Sequence, residues 1–529
     1  MTRRYYSFLL ALLVLLSTAA VSPGQDPNSP PTDLDTYVAR TLKEFEVPGV
    51  AVAIVKDGKV VLSKGYGVRR IGEQTPVDDH TLFGIASNTK AFTAAALAIL
   101  VDEGKLSWDD PVTKHLPNFQ MYDPYVTREM TIRDLLTHRS GLGLGSGDLM
   151  FWPGTTFTRD EIVQRVRFLK PASSFRSRYA YDNVLYLVAG QIIPAVTGES
   201  WDDFVAKRIF GKLGMSESNL SAKAIKPGMN VVSPHTKIDG KLTAIPFVDL
   251  DNTAPAGAIN SNVSDMSKWI LVQLDRGLVR TSSDGKQRLF SEGQSRIMWS
   301  VQTPQNPSEP PTELSALRAN FAGYGLGWGL NDYRGRKVVS HTGGLAGMVS
   351  RVTLLPELNL GVVVLTNQES GAAFNAITLH ILDHYLKAAP FDWIGGFKTI
   401  VERTNAAAKA EEQKQQSARA TNSKPSLPLD KYAGRYKDAW YGEVTIAFEE
   451  GKLVLRFSHS PTLVGDLEHW QFDTFVARWR DRSLAADAFV YFSLNPDGSI
   501  EQMKMKPVSP LTDFSYDFQD LLFTPVSKH

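Results

Sequence analysis

The stretch Leu82-Phe83-Gly84-Ile85-Ala86-Ser87-Asn88-Thr89-Lys90, continued by Ala91-Phe92-Thr93-Ala94-Ala95-Ala96-Leu97-Ala98-Ile99-Leu100, decides the reading of this chain. The Ala-rich apolar run after Ser87 predicts a buried helix, with Gly104 just past its last turn. Ser87 then falls at the helix N-terminus, with Lys90 one turn on and on the same face. A serine hydroxyl is a poor nucleophile until a base takes its proton, and a desolvated lysine can take it or stabilise another base. Free N–H groups at a helix N-terminus favour an oxyanion formed there. Alone, Ser-x-x-Lys is weak, and Ser87 also fits an ordinary helix cap. The pattern recurs at Ser283-Asp284-Gly285-Lys286, a polar stretch with no helix behind it, where it is read as chance.

Upstream, Arg3 and Arg4 precede an apolar run over residues 8–16 and then Ser17-Thr18-Ala19-Ala20, the pattern of a secretory signal peptide over residues 1–24. The run is short for a membrane span, so no stable membrane anchor is expected and the protein is placed outside the cytoplasm, periplasmic or secreted. The absence of cysteine excludes a lipid-anchored lipoprotein and a disulfide scaffold. With 57 Lys and Arg against 56 Asp and Glu, the near-neutral chain argues against nucleic acid as a partner. Residues 34–45 carry helical spacing. Gly49-Val50-Ala51-Val52-Ala53-Ile54-Val55 and Val60-Val61-Leu62-Ser63-Lys64-Gly65-Tyr66-Gly67, joined through Lys56-Asp57-Gly58-Lys59, read as a hairpin.

In the middle of the chain, residues 130–142 predict a helix running into a glycine turn, and His138 is read as fixing that turn rather than as a general base. Tyr181 and Asn183 form the only Tyr-x-Asn of the chain and precede a predicted helix over residues 184–195. In a turn, the phenol and the amide can enter one cleft. A tyrosine beside a cationic lysine has its pKa lowered, which suits it to shuttle a proton. Another amphipathic helix is predicted over residues 201–213, and the Pro- and Gly-containing loop 252–261 is assigned to the cleft wall. Later, Lys337-Val338-Val339-Ser340-His341-Thr342-Gly343-Gly344 reads as an edge strand entering a glycine pair. His341 and Thr342 are candidates to bind a substrate carboxylate. Gly343 and Gly344 leave room for substrate, with the Gly344 N–H as a second oxyanion donor. Strands early and late with helices between them imply one domain whose ends share a sheet.

Ser87-Asn88-Thr89-Lys90, Tyr181-Asp182-Asn183 and His341-Thr342-Gly343 occur in the order and approximate spacing of the serine β-lactamase and penicillin-binding superfamily. The chain most resembles the class C β-lactamase-like, peptidase S12-type group, over about residues 34–390. Asp134-Leu135-Leu136-Thr137-His138, Leu213-Gly214-Met215, Ala254-Pro255-Ala256-Gly257 and Gly323-Tyr324-Gly325-Leu326-Gly327-Trp328 agree. The resemblance implies an α/β (α+β) β-lactamase/transpeptidase-like fold, with a five-stranded antiparallel sheet flanked by helices and a helical subdomain. It also implies two-step acyl transfer without metal or cofactor. Ser87 is the nucleophile, Lys90 and Tyr181 move protons, and Asn183, His341, Thr342, Gly343 and Gly344 bind substrate. Dedicated class C β-lactamases carry lysine where this chain has His341; the His-Thr-Gly version is similar to that of DD-carboxypeptidases and D-peptidases. The expected activity is therefore an exported serine hydrolase of DD-carboxypeptidase or D-aminopeptidase type, acting on a small-molecule or peptide substrate. A carboxylesterase, a β-lactamase and a penicillin-binding sensor without turnover are the alternatives.

The hydrolase domain is placed at residues 30–400 and a solvated helical linker at 401–426, after which the pattern changes to short strands over 427–529. Hairpins at residues 442–457 and 488–506, with Trp440, Trp470 and Trp479 as core candidates, predict a small β-barrel resembling the lipocalin-like domain of such hydrolases. No catalytic constellation is read in it. Oligomeric state stays open.

Overall fold

A computed structural model of the chain describes residues 28–280 and 287–526. The proposed signal peptide at residues 1–24 and the second Ser-x-x-Lys at 283–286 lie outside the described residues. Among the described residues, no helix is long and apolar enough to cross a membrane.

The first domain is built on an antiparallel sheet of eight strands: β1 (Gly49–Lys56), β2 (Lys59–Gly67), β3 (Thr303–Gln305), β4 (Ala322–Tyr324), β5 (Gly329–Tyr333), β6 (Arg336–Leu345), β7 (Met348–Leu355) and β8 (Leu360–Thr366). Their order is β2-β1-β8-β7-β6-β5-β4-β3, so the early hairpin pairs with the last strand, as the chain pattern predicts. The expected sheet of five strands is extended by β3, β4 and β5. Two of these have only three residues, too few to display an alternating pattern.

β1 is buried on both faces because it separates two helical layers. Val50, Val52 and Ile54 join Val38 of α1 (Leu34–Phe45) and Ile377 and Ile381 of α5 (Gly371–Leu386) in one core cluster. Ala51, Ala53 and Val55 join α2 (Thr89–Asp102) and Trp269 of α4 (Val263–Leu274) in the other. α2 is buried all the way from Thr89 to Leu100, which explains its alanine content: small side chains let neighbours approach on every side. Phe92 of α2 stacks on Trp269 of α4 at 3.8 Å, and α3 (Val184–Thr197) is ended by Gly198 in the left-handed region.

One local reading is corrected. Over residues 130–142 only Ile132–Leu135 is helical. The Asp134 carboxylate turns back to cap Thr131 and binds Arg139 and Arg176; the helix is capped at Leu136, and beyond it His138 adopts φ 54°, which no helix can continue through. The helix expected over residues 201–213 is present, with a π turn inside it over Ala206–Phe210. The boundary drawn at residue 400 falls inside α6 (Trp393–Ser417), which starts in the first domain's core at Trp393, Ile394 and Phe397.

The second domain is an eight-stranded antiparallel sheet: β9 (Gly434–Asp438), β10 (Gly442–Glu449), β11 (Lys452–Phe457), β12 (Val464–Gln471), β13 (Thr474–Trp479), β14 (Ala488–Leu494), β15 (Ile500–Pro507) and β16 (Thr524–Pro525). It runs β15-β14-β13-β12-β11-β10-β9-β16, and a bridge between Met503 and Phe523 nearly closes it into a barrel. Trp440 and Trp479 are buried in its core. The barrel docks on the helical side of the first domain. Thr156 N–H donates to His459 O at 2.9 Å, Arg165 donates to Trp440 O at 2.8 Å, and Phe157 stacks on His459 at 3.8 Å.

Candidate active site

Ser87 sits on a single 3-10 turn, Ala86–Asn88, that runs into α2. Ala86 has φ 49°, a left-handed conformation that is costly for a residue with a Cβ and is held by its surroundings. The Asn88 amide donates to Ser350 Oγ at 2.8 Å, and Ser350 Oγ donates to Ile85 O at 2.7 Å, so β7 clamps the turn. β6 presses on it from the same side. A Cβ on Gly343 would lie 2.2 Å from Ile85 O and 2.8 Å from Ala86 Cβ. The glycine therefore makes room for the backbone that carries Ser87, which corrects the expectation that it makes room for substrate. Gly344 is exposed, and a Cβ there would meet open space.

Lys90 is buried, and its Nζ lies within hydrogen-bond distance of three oxygens: Ser87 Oγ at 3.0 Å, Asn183 Oδ1 at 2.7 Å and Ala256 O at 3.1 Å. Burial lowers its pKa to about 7, against the opposing pull of the Asp148 and Asp182 carboxylates. A neutral amine keeps two N–H donors and gains a lone pair. Two carbonyl acceptors and one hydroxyl match that state, with the lone pair turned to the Ser87 hydroxyl. Tyr181 lies beside Ser87, with Lys90 Nζ 4.8 Å from its ring centroid. Burial raises the phenol well above its usual pKa despite the Ser87 hydrogen bond, which overturns the expectation of a lowered value. The lysine is the group driven toward neutrality, because desolvation penalises both charged forms.

The four residues Ser87, Lys90, Tyr181 and Asn183 thus meet at one point, and His341, Thr342 and Gly344 line the same cleft of about 570 Å³. His341 does not serve as a cation there. Its Nδ1 lies 2.6 Å from Thr342 O and its Nε2 2.9 Å from the Tyr324 hydroxyl, so one nitrogen donates and the other accepts. Burial first, and then the Lys90 charge, lower its pKa to about 3. The carboxylate-binding role expected of His341 is corrected accordingly: a neutral ring with both nitrogens engaged offers no charge to an anion. The strand also departs from a simple edge. β5 pairs with β6 only as far as Ser340, leaving His341–Leu345 free on the cleft side. His138 is buried among Tyr179, Tyr181, Tyr186 and Tyr324, and its Nδ1 accepts from Asp182 N–H at 3.2 Å, holding the turn before Asn183.

Four contributors to the cleft were not read from sequence. Arg351 is the cross-strand partner of Thr342 and lines the cleft. It donates only to neutral oxygens, Thr353 Oγ1 and Asn375 Oδ1, and although burial lowers its pKa to about 10 it stays cationic. The hairpin spacing 345–348 would have placed it opposite Thr342. Ala256 O, assigned only to the wall, binds Lys90. Asp148, buried, and Ser515, from the second domain, have no motif signal at all.

The sequence profile of the beta-lactamase family matches residues 34–386. The chain belongs to that family. Residues 418–525 match a family described only as a domain of unknown function. Among curated proteins, an unguisins hydrolase of Aspergillus campestris is 30% identical over 454 residues, covering 82% of this chain and 81% of the relative. The protein flp of Staphylococcus aureus is 27% identical over 350 residues, covering 65% of this chain and 64% of its own. The octameric penicillin-binding protein homologue from Pyrococcus abyssi shares the fold, with a TM-score of 0.59 at 23% identity over 93% of this chain and 99% of that one. SurE shares it with a TM-score of 0.53 at 18% identity, covering 93% and 99% of the two chains. Family and relatives together make this a beta-lactamase-family hydrolase with a C-terminal barrel domain.

Proposed function

We propose that this family member is an exported serine hydrolase that forms an acyl-enzyme on Ser87 and cleaves amide bonds in peptides ending in a free carboxylate, as a DD-carboxypeptidase does. The observation that carries the mechanism is the 3.0 Å contact between Ser87 Oγ and a buried Lys90 whose other two partners are carbonyl oxygens. In this reading neutral Lys90 takes the Ser87 proton as the Oγ–C bond forms. The carbonyl electron pair moves to oxygen, held by the N–H groups of Ser87 and Gly344. The C–N bond then breaks. The leaving amine takes a proton from the Tyr181 hydroxyl, which recovers one from Lys90, and water repeats the sequence on the ester. Arg351, charged and bound among the described residues only to the neutral oxygens of Thr353 and Asn375, supports the choice of a carboxylate-ended substrate. Asp513 at the cleft rim favours a second reading, an aminopeptidase that binds a substrate ammonium.

The test is release of D-alanine from an N-acetylated peptide ending in D-Ala-D-Ala, beside the C-terminal amide of the same peptide. Cleavage of the acid, a loss of at least about 10-fold for the amide, and no turnover by Ser87→Ala are expected. Equal cleavage of acid and amide removes the carboxylate reading, and a turning-over Ser87→Ala removes the mechanism. Intact mass after incubation with benzylpenicillin reports the acyl-enzyme directly. Export is tested by sequencing the N-terminus of the mature protein from cell fractions.

A further inference from the structure

Asp148 is fully buried 35 residues before Asn183, at the start of the 3-10 turn Asp148–Met150. Its Oδ2 accepts two hydrogen bonds at 2.8 Å, one from the Asn183 amide nitrogen and one from Ser515 Oγ, while Oδ1 has no protein partner. The amide of Asn183 is therefore oriented. Its NH2 faces Asp148, and its oxygen faces Lys90 Nζ at 2.7 Å. A flipped amide would turn N–H donors toward the lysine and forfeit that bond. The turn that carries Asp148 is gripped by the second domain as well. Asp517 accepts from Gly147 N–H at 2.6 Å and from Leu149 N–H at 3.1 Å, so Asp148 is bracketed in sequence by two backbone anchors. The same loop reaches Tyr181, whose backbone oxygen accepts from Gly145 N–H at 2.9 Å, and Phe514 lies edge-on to the Tyr181 ring at 6.1 Å.

We propose that the barrel domain is part of the catalytic apparatus: Ser515 and Asp517 fix Asp148, and Asp148 sets the Asn183 amide so that its oxygen meets Lys90. Asp148, Ser515 and Asp517 are positioning residues in this scheme; none touches the reacting atoms. The arrangement rests on the serine acyl-enzyme reading. It deepens that reading by making Lys90 geometry depend on a domain 370 residues away in sequence from the turn it holds. Burial raises the Asp148 carboxyl well above its usual range, while the Ser515 and Asn183 hydrogen bonds pull it back. The cost of building a catalytic contact from a second domain is a longer chain of dependencies. The return is a cleft wall, Asp513 to Ser515, that arrives with the contact.

The experiment uses the full-length mature protein and p-nitrophenyl acetate, following the acylation burst and steady-state turnover together with thermal midpoints. Ser515→Ala is expected to slow acylation by about 10-fold, with KM changed less than about twofold and the fold retained, because a lysine displaced by a fraction of an ångström loses rate rather than affinity. Ser515→Thr, which restores the hydroxyl, should recover most of the rate. Arg165→Gln breaks a contact to Trp440 elsewhere on the same interface and should leave acylation unchanged. Should Ser515→Ala fail to fold, Asp148→Leu keeps a similar volume without the acceptor and must show the same loss. Wild-type acylation in Ser515→Ala or Asp148→Leu overturns the proposal. So does an equal loss in Arg165→Gln, which would reduce the contact to interface adhesion. Failure of the wild-type protein to acylate, with Ser87→Ala no slower, would instead overturn the serine mechanism itself.

Discussion

Replacing Gly343 by alanine probes how Ser87 is held. The new Cβ would stand 2.2 Å from Ile85 O, 2.5 Å from Ser350 Oγ and 2.8 Å from Ala86 Cβ. Real Cβ contacts begin at 3.0 Å, so the nearest must open by about 0.8 Å. Two of the three atoms belong to the Ile85–Ala86 backbone turn and cannot rotate away; the third, Ser350 Oγ, is engaged with both Asn88 and Ile85. The displacement therefore goes into the turn that presents Ser87, whose Ala86 is already in the left-handed region. A shift approaching 1 Å at a nucleophile costs roughly 10²-fold in rate, and overpacking costs about 1–3 kcal/mol in stability. Gly434→Ala, in the barrel domain, is the paired control, since its Cβ first meets the Tyr436 ring at an ordinary 3.7 Å. Burst kinetics with an activated ester and thermal denaturation of both variants measure the effect. A Gly343→Ala protein acylating within threefold of wild type, on the scale of that roughly 10²-fold loss, would refute the claim that the β6 backbone sets the serine.

Two further outcomes follow from the charges. Because Lys90 acts as a neutral base with a pKa of about 7, acylation should climb with pH and level off above that value; a rate that falls across the same interval would mean the charged lysine is the active form. Asp134, buried between Arg139 and Arg176, has its carboxyl held below the usual range by the Arg176 and Thr131 hydrogen bonds against the cost of burial. Its contribution is present above the unfolded carboxylate pKa and is lost as pH falls through the lower folded value. Asp134→Ala should cost about 3 kcal/mol at neutral pH by leaving two guanidinium groups without their partner, and a thermal midpoint equal to wild type would contradict this.

Much of the architecture was legible because it is periodic or local. Residues 49–55 are a continuous apolar run ended by the Lys56-Asp57-Gly58-Lys59 turn, and residues 89–100 are buried all round, so the hairpin and the central helix could be read directly. The trio of Ser87-x-x-Lys90, Tyr181-x-Asn183 and His341-Thr342-Gly343 pointed to one cleft, and the structure brings Ser87, Lys90, Tyr181 and Asn183 into contact there. The three-residue strands β3 and β4 escaped because no period fits in three residues, and the helix of residues 130–142 was overdrawn because its end is set by contacts such as that of Asp134 with Arg176, 42 residues on.

The sequence by itself determined which groups carry the chemistry and the order of layers that gathers them, since helix and strand periodicity is a property of neighbouring residues. Tertiary structure alone decided their states and their support. Lys90 approaches neutrality and His341 loses its charge because desolvation depends on what surrounds a group in space, and both are enclosed by segments hundreds of residues apart. Gly343 turned out to accommodate the Ser87 turn, Arg351 became the cleft's cation through cross-strand register, and Ser515 reached Asp148 because the barrel docks beside the cleft. These contacts join residues that share no local pattern, and only the packing of one element on another brings them within bonding distance.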